Sequence, residues 1–409
     1  MEVNPRSLTS YVIDIDANPK LFEDFAVTEI SLSESLLSPS LHVKVKVSSY
    51  RHNGYVKNWD LLSGAKLKIS ATRPILAEYN YNPKLDIETT IYRIEDRVPR
   101  SYQNEDFVIC AIDETALTNA SKRISKSWKC TPPHSIAADA LLNCVGVPNL
   151  VVEQSIPNRT YFAEDIHPYQ VVAQQADVAL AGTNDPSFLH YMTFENIVGT
   201  HRFESLYGMS RKEIVWNYYY NEKGDVEYTW ENPFALLSYS NPCDFDLLSD
   251  LLNGVDPKTG LNNKSLIAVN PMNGMLDLVN GNLGGCGIGS ITNDISFTNK
   301  YSAGDEGNCE IDVEHHKLYR VARLQLLEPD KVAFKATVAF NPNLHVGQMI
   351  YLEVPNKVQN PDGTITTQPD FGSGYYLISN LTHSIRPGGY SLTMLDCISK
   401  SVGNGGSTQ

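Results

Sequence analysis

Apolar residues fall at every second position in two well-separated stretches of the chain. In the first, Leu41, Val43, Val45 and Val47 alternate with His42, Lys44, Lys46 and Ser48. In the second, Val332, Phe334, Ala336, Val338 and Phe340 alternate with small or polar residues. A period of two marks strands that bury one face. Each run leads into a Leu-x-x-Gly phrase. Leu61, Gly64, Leu67 and Ile69 stand at the same spacing as Leu344, Gly347, Ile350 and Leu352. A long polar loop and a hairpin follow each phrase: strands at 90–98 and 106–113 around a turn at 99–105, and strands at 375–385 and 390–398 around Arg386-Pro387-Gly388-Gly389. Pro-Gly between two alternating runs is a turn signal. The shared order reads as one β-module used twice.

The rest of the chain is patterned differently. Strands are predicted at 11–16 and 25–32, ahead of the first module. A helix is predicted from near Pro133, with Ile136, Ala140, Leu141 and Cys144 on one face and Gly146 placed to stop it. A second should start at Pro168, a good first-turn residue, and carry Val171, Val172, Gln175 and Val178 before Gly182. Phe188, Tyr191, Phe194 and Phe203 flank Gly199 in an expected hairpin. Another hairpin, 213–220 with 226–230 around Asn221-Glu222-Lys223-Gly224, should supply the second module with its opening strands. Residues 240–312 are rich in Asn, Gly and Pro and hold one short amphipathic pattern, 245–252.

The fold class is therefore α+β, mainly β, with two similar β-barrel-like modules plus a middle α+β domain carrying an insertion. The expected boundaries are 1–113 for the first module, 114–206 for the middle domain, 207–239 for strands joining the second barrel, 240–312 for the insertion, 313–399 for the second module and 400–409 for a flexible tail. Four residues mark the repeat and its closing hairpin: Gly64, Gly347, His383 and Gly389.

Composition narrows the function. At 409 residues the chain has room for two to four domains. No apolar run approaches the ~20 residues that span a bilayer, and the first residues lack the pattern of an export signal. Seven scattered cysteines without a Cys-x-x-Cys point to reduced thiols rather than a disulfide framework or a zinc site. A net charge of −14 disfavours a protein built to grip phosphates and suits a surface past which DNA moves without sticking.

Candidate chemistry dissolves on inspection. The 281–289 glycine run has no Gly-Lys-Ser/Thr and no helix pattern after it, so it reads as a turn. Glu314-His315-His316 would point to opposite faces of a strand rather than converge on a metal. The carboxylate pairs Glu95-Asp96, Glu105-Asp106 and Asp305-Glu306 are sequence neighbours, not opposed acids across a ~5–9 Å gap. No Gly-x-Ser-x-Gly elbow is present. His383 alternates with Thr382 and Ser384 and reads as a packed, hydrogen-bonded histidine. No catalytic, cofactor-binding or metal-binding residue is expected.

The closing segment carries a resemblance. Tyr376-x-Ile378-x-x-Leu381-x-His383-x-Ile385, the Gly388-Gly389-Tyr390 turn and the last alternating strand, preceded by Leu344-x-x-Gly347, resemble the closing barrel of baseplate hub proteins of contractile-tailed bacteriophages. Related modules occur in type VI secretion spike proteins. The Ser135-Ile136 helix entry, and Phe188-Leu189-x-Tyr191 leading to Phe203-x-Ser205-Leu206, fit the same order. Two features depart from it: Leu392 stands where the family usually has threonine, with Thr393 next, and the long 355–374 loop is not assigned to a family feature. The resemblance implies a non-enzymatic homotrimer in the virion baseplate, assembled in the host cytoplasm. Two barrels per chain would give a pseudo-six-fold ring joining the tail tube above to a central spike below. Its partners would be itself, the tube protein, the spike protein and other baseplate proteins, with needle and lysozyme activities on separate chains. DNA would pass the lumen without specific binding. The competing expectation is a tail-associated β-rich hydrolase or carbohydrate binder, which would need convergent acids or an aromatic-lined groove.

Overall fold

The computed structural model describes residues 10–15, 25–50, 64–79, 81–101, 104–181, 185–220, 233–239, 261–262, 265–269, 276–280, 283–284, 324, 327, 334–353, 355–361, 363–369, 373–386 and 391–399. Strands dominate, and the chain is α+β, mainly β.

The first module comprises β1 (Ser10–Ile15), β2 (Phe25–Ser35), β3 (His42–Tyr50), β4 (Lys66–Thr72), β5 (Lys84–Pro99) and β6 (Asn104–Ile112), in the spatial order β1-β4-β5-β6-β3-β2. The alternation at 41–47 does what it predicts: Leu41, Val43, Val45 and Val47 are buried while His42, Lys44, Lys46 and Ser48 are not. They pack with Ile30, Leu32, Leu67, Ile69, Ile91, Phe107 and Ile109, each buried side chain contributing ~1.5–3 kcal/mol. β5 begins at Lys84, six residues before the alternating stretch that signalled it.

The middle region follows with α1 (Glu114–Ser121), β7 (Ile124–Thr131), α2 (Pro133–Asp139), β8 (Leu150–Val152), β9 (Arg159–Ile166), α3 (Pro168–Ala176), β10 (Phe188–Thr193), β11 (Thr200–Ser205) and α4 (Leu206–Ser210). α2 runs on through a wider turn, Ala140–Val145, and ends at Gly146 with φ +85°. Ile136, Ala140, Leu141, Val171 and Val172 pack with Phe188 and Phe203 into a separate core. β10 and β11 form the hairpin expected around Gly199, and β8 adds in parallel to β11. α1 and the β7–β9 ribbon are additions to the expected elements.

The second module contains β12 (Ile214–Tyr220) and β13 (Pro233–Tyr239), then, after the short pairs β14 (Leu261–Asn262) with β17 (Leu283–Gly284) and β15 (Ser265–Val269) with β16 (Leu276–Asn280), β18 (Phe334–Ala339), β19 (Met349–Glu353), β20 (Pro355–Gln359), β21 (Ile365–Pro369), β22 (Gly374–Ile385) and β23 (Leu392–Ser399). The strands β19-β22-β23-β18-β13-β12 close on themselves, because β12 pairs with both β13 and β19. Of the hairpin expected at 213–230 only the first strand, β12, is described; it runs parallel to both of its described neighbours, and 226–230 lies outside the described residues, as does 245–252. The 355–374 stretch, expected as a loop, contains the antiparallel pair β20–β21 turning at Asn360–Gly363.

β2 pairs with β22, so the two modules share one 12-stranded sheet.

Candidate assembly site

The glycines of the two Leu-x-x-Gly phrases sit in the same corner. Gly64 and Gly347 both have φ +79°, a left-handed conformation that glycine adopts without steric cost. Gly64 donates its N–H to the Ile91 carbonyl (2.9 Å), and Ile91 donates back to Ala65 (2.9 Å). Gly347 donates to Ile378 (2.9 Å), and Ile378 donates back to Gln348 (3.1 Å). These bonds align Ile91 with Ile378. One residue beyond each, the ladder slips at the same place: between Ile91 and Arg93 against β6, and between Ile378 and Asn380 against β23. β4-β5-β6-β3-β2 and β19-β22-β23-β18-β13 are both antiparallel throughout.

What surrounds the two corners differs. Among the described residues a Cβ at Gly64 would meet nothing within 4 Å, whereas one at Gly347 would lie 2.5 Å from the Tyr191 hydroxyl. Tyr191 is buried and donates to Glu204 (2.5 Å), which also accepts from Lys212 (2.8 Å). Burial raises the Glu204 carboxyl, but Lys212, Tyr191 and Arg202 outweigh that and leave it below the usual range.

The hairpins beyond the corners differ in the same sense. On β22, 379–385 are buried or half-buried, with β2 laid along the edge that β19 leaves free, from Ile30 opposite Ile385 to Ser35 opposite Asn380. On β5, most of the matching residues are exposed, including Val98 at 47%.

Three regions meet at Glu34, which is buried on β2. Its carboxylate accepts from the Phe194 N–H (2.6 Å) and the Val346 N–H (2.9 Å), with His345 Nδ1 at 3.0 Å. One side chain of the first module thus ties the β10 end of the middle region to the glycine corner of the second. Arg73 adds a bond to the Phe340 carbonyl (2.8 Å), and Asn343 one to the Asn82 carbonyl (2.9 Å). β10 and the residue after it feed all three cores: Phe188 the middle one, Leu189 and Tyr191 the second module's, and Met192 and Phe194 the first module's.

A second tie joins the first module to the middle region. Asp113 accepts from Leu41 N–H (2.9 Å), from Ala116 N–H as the cap of α1 (2.8 Å) and from the Thr115 hydroxyl (2.5 Å). His201 Nε2 lies 2.9 Å from Thr115 Oγ1, and His190 Nε2 lies 3.1 Å from His201 Nδ1. Burial lowers both histidines, His201 to about 4.

His383 is fully buried on β22, with Nδ1 2.8 Å from the Thr393 hydroxyl, and burial lowers it to about 3. Thr393, one place beyond the usual threonine position, is therefore the partner of the marker histidine. Gly389 and Glu314-His315-His316 lie outside the described residues, and of the 281–289 run only Leu283–Gly284 is described, as a strand. Among the described residues no group of three His, Cys, Asp or Glu side chains is placed to hold a metal. No described helix is long and apolar enough to cross a membrane. Glu34, Asp113 and Glu204 were not singled out by pattern, and Tyr191 only as a hairpin residue; of the three acids only Asp113 carries a local signal, an acidic residue before Glu114-Thr115 where a helix begins.

No protein-family model matches the sequence, and no curated protein does either. Solved structures do match. The Escherichia coli c3393 protein, described as a type VI secretion component similar in structure to the T4 bacteriophage tail proteins gp27 and gp5, shares 11% identity over 97% of this chain and 79% of its own, with a TM-score of 0.47. The 43 kDa tail protein of prophage MuSo2 from Shewanella oneidensis shares 11% over 95% and 98%, at 0.48. A tail protein from Neisseria meningitidis MC58 shares 8% over 96% and 96%, at 0.45. The structural neighbours of this chain are thus phage tail proteins and a type VI secretion component.

Proposed function

We propose that this chain is the structural hub of a contractile tail baseplate, a homotrimer that joins a six-fold tail tube to a three-fold central spike and performs no catalysis. The carrying observation is the internal duplication: two modules with the same five-strand antiparallel order, the same glycine corner at φ +79° and the same ladder slip. Three copies of such a chain present six similar modules, and closed symmetry is the usual outcome for homo-oligomers. The sequence resemblance of the 344–398 segment to hub barrels supports the same reading. The middle region, which feeds β10 into all three cores, holds the two modules of one chain at a fixed angle. A lumen formed by an acidic chain lets DNA pass without retaining it.

The test is mass by light scattering across a concentration and salt series, alone and with the spike protein, followed by end-on electron microscopy. A trimer with a six-lobed outline is the expected result. A monomer under every condition, spike present, refutes the hub reading. Cleavage of peptidoglycan or polysaccharide that disappears on replacing one carboxylate refutes the non-enzymatic part.

A further inference from the structure

In the second module, β22 extends past β19, and the edge so exposed is covered by β2 of the first module. In the first module, β5 extends past β4 in the same way, but no strand covers its edge beyond Ile91 among the described residues. The counterpart of β2 in the second module is β13, because each lies beside the matching strand, β3 or β18. β13 pairs with β12 only through Pro233 and Phe234, which leaves 235–239 without a strand on that side among the described residues. Among the described residues, one chain therefore carries one used pair of edges, β2 on β22, and one unused pair of the same kind, β13 and β5.

We propose that β13 of one copy docks antiparallel along 92–99 of β5 in a second copy, reproducing between chains the β2–β22 seam within each chain. This deepens the hub reading and rests on it. The partner is a second copy rather than an unrelated strand, since the molecule already holds a working example of the same joint. The β5 edge also carries guards against casual pairing. Asp96 has φ +50°, the ladder to β6 slips between Glu95 and Val98, and Arg93, Glu95, Asp96 and Arg97 are charged. Such bulges and charges are how proteins keep a free edge from pairing with any strand it meets. They leave a docking edge selective.

The register follows from the ladders. Ser31 faces Lys44 as Ser238 faces Lys335, and Ser384 faces Leu392 as Val98 faces Asp106. Since Ser31 faces Ser384 within the chain, Ser238 of one copy faces Val98 of the next.

The experiment mixes two single variants, Val98→Cys and Ser238→Cys, lets the chains exchange, and oxidises gently with diamide. Directly opposed strand residues have Cα atoms within disulfide range. The expected result is a covalent dimer whose 98–238 peptide is found by mass spectrometry, enriched at least tenfold over either variant alone. The doubly substituted Ser31→Cys, Ser384→Cys chain is the control and should close within itself. Assembly by light scattering with the control bond formed, but without a 98–238 link, overturns this seam and leaves the hub reading standing. A chain that stays monomeric throughout overturns both.

Discussion

The two modules are built on one plan and differ in what leans on them. In the second, the glycine corner sits under Tyr191 and the long hairpin strand is covered by β2. In the first, the corner meets no side chain among the described residues and the matching strand is mostly exposed. The backbone solution is identical in φ and hydrogen bonding, so the corner does not depend on its neighbours. What the neighbours add is burial, and burial converts a local turn into a joint. Substitutions at matched positions should therefore have unequal effects, with the excess measuring the joint.

The largest expected effect is at Glu34. Glu34→Ala removes the acceptor for two buried N–H groups and for His345, and should cost ~3–5 kcal/mol in urea unfolding. A loss under 1 kcal/mol would mean that the three regions do not depend on this carboxylate. Next come the corners themselves. Gly64→Ala should cost ~1–2 kcal/mol, the strain of a left-handed alanine. Gly347→Ala carries that strain and must also displace Tyr191 from Glu204, adding ~1–3 kcal/mol. Equal costs at the two glycines would break the comparison.

Acid should separate the covered hairpin from the open one. His383 and His201 are held neutral, to about 3 and about 4, while in the unfolded chain they take a proton near the ordinary histidine value. Below about pH 6.5 the unfolded state binds more protons, so stability falls with pH by ~1.4 kcal/mol per unit for each histidine until its folded value is reached. Urea melts at pH 7.5 and 5.0 should show His383→Gln losing ~2 kcal/mol of that difference, whatever its stability at pH 7.5. The smallest effect is on the open hairpin. Arg100→Ala removes an exposed pair with Asp106 and should change stability by ~0–1 kcal/mol in the isolated chain.

The duplication was legible because its signals are local: alternation at 41–47 and 332–340, and two glycines that each need a positive φ. The ties were not. Glu34 meets Phe194 and Val346 across 160 and 312 positions of chain, and nothing near Glu34 distinguishes it from other strand carboxylates. β12 was legible as a strand, but a run such as Ile214–Tyr220 fixes only that a strand forms, not that its described neighbours β13 and β19 run parallel to it. β7 escaped because only Ile124 and Trp128 of Ile-Ser-Lys-Ser-Trp-Lys-Cys-Thr join the middle core, and the exposed Lys126 between them interrupts the apolar alternation. The β20–β21 pair has a turn signal in its sequence, Asn-Pro-Asp-Gly, but the stretches on either side show no apolar alternation that would mark them as strands.

β22 has a mechanical consequence. Its 12 residues are gripped by β19 at one end, by β2 at the other and by β23 along most of its length. A load that slides one module past the other along this strand strains the six pairs from Ile30 to Ser35 together, and they must yield as a set. A load applied across the strand peels them one after another. The joint is therefore tough in one direction and weak in the other, and pulling single molecules from two differently placed handles would read that anisotropy as two distinct rupture forces.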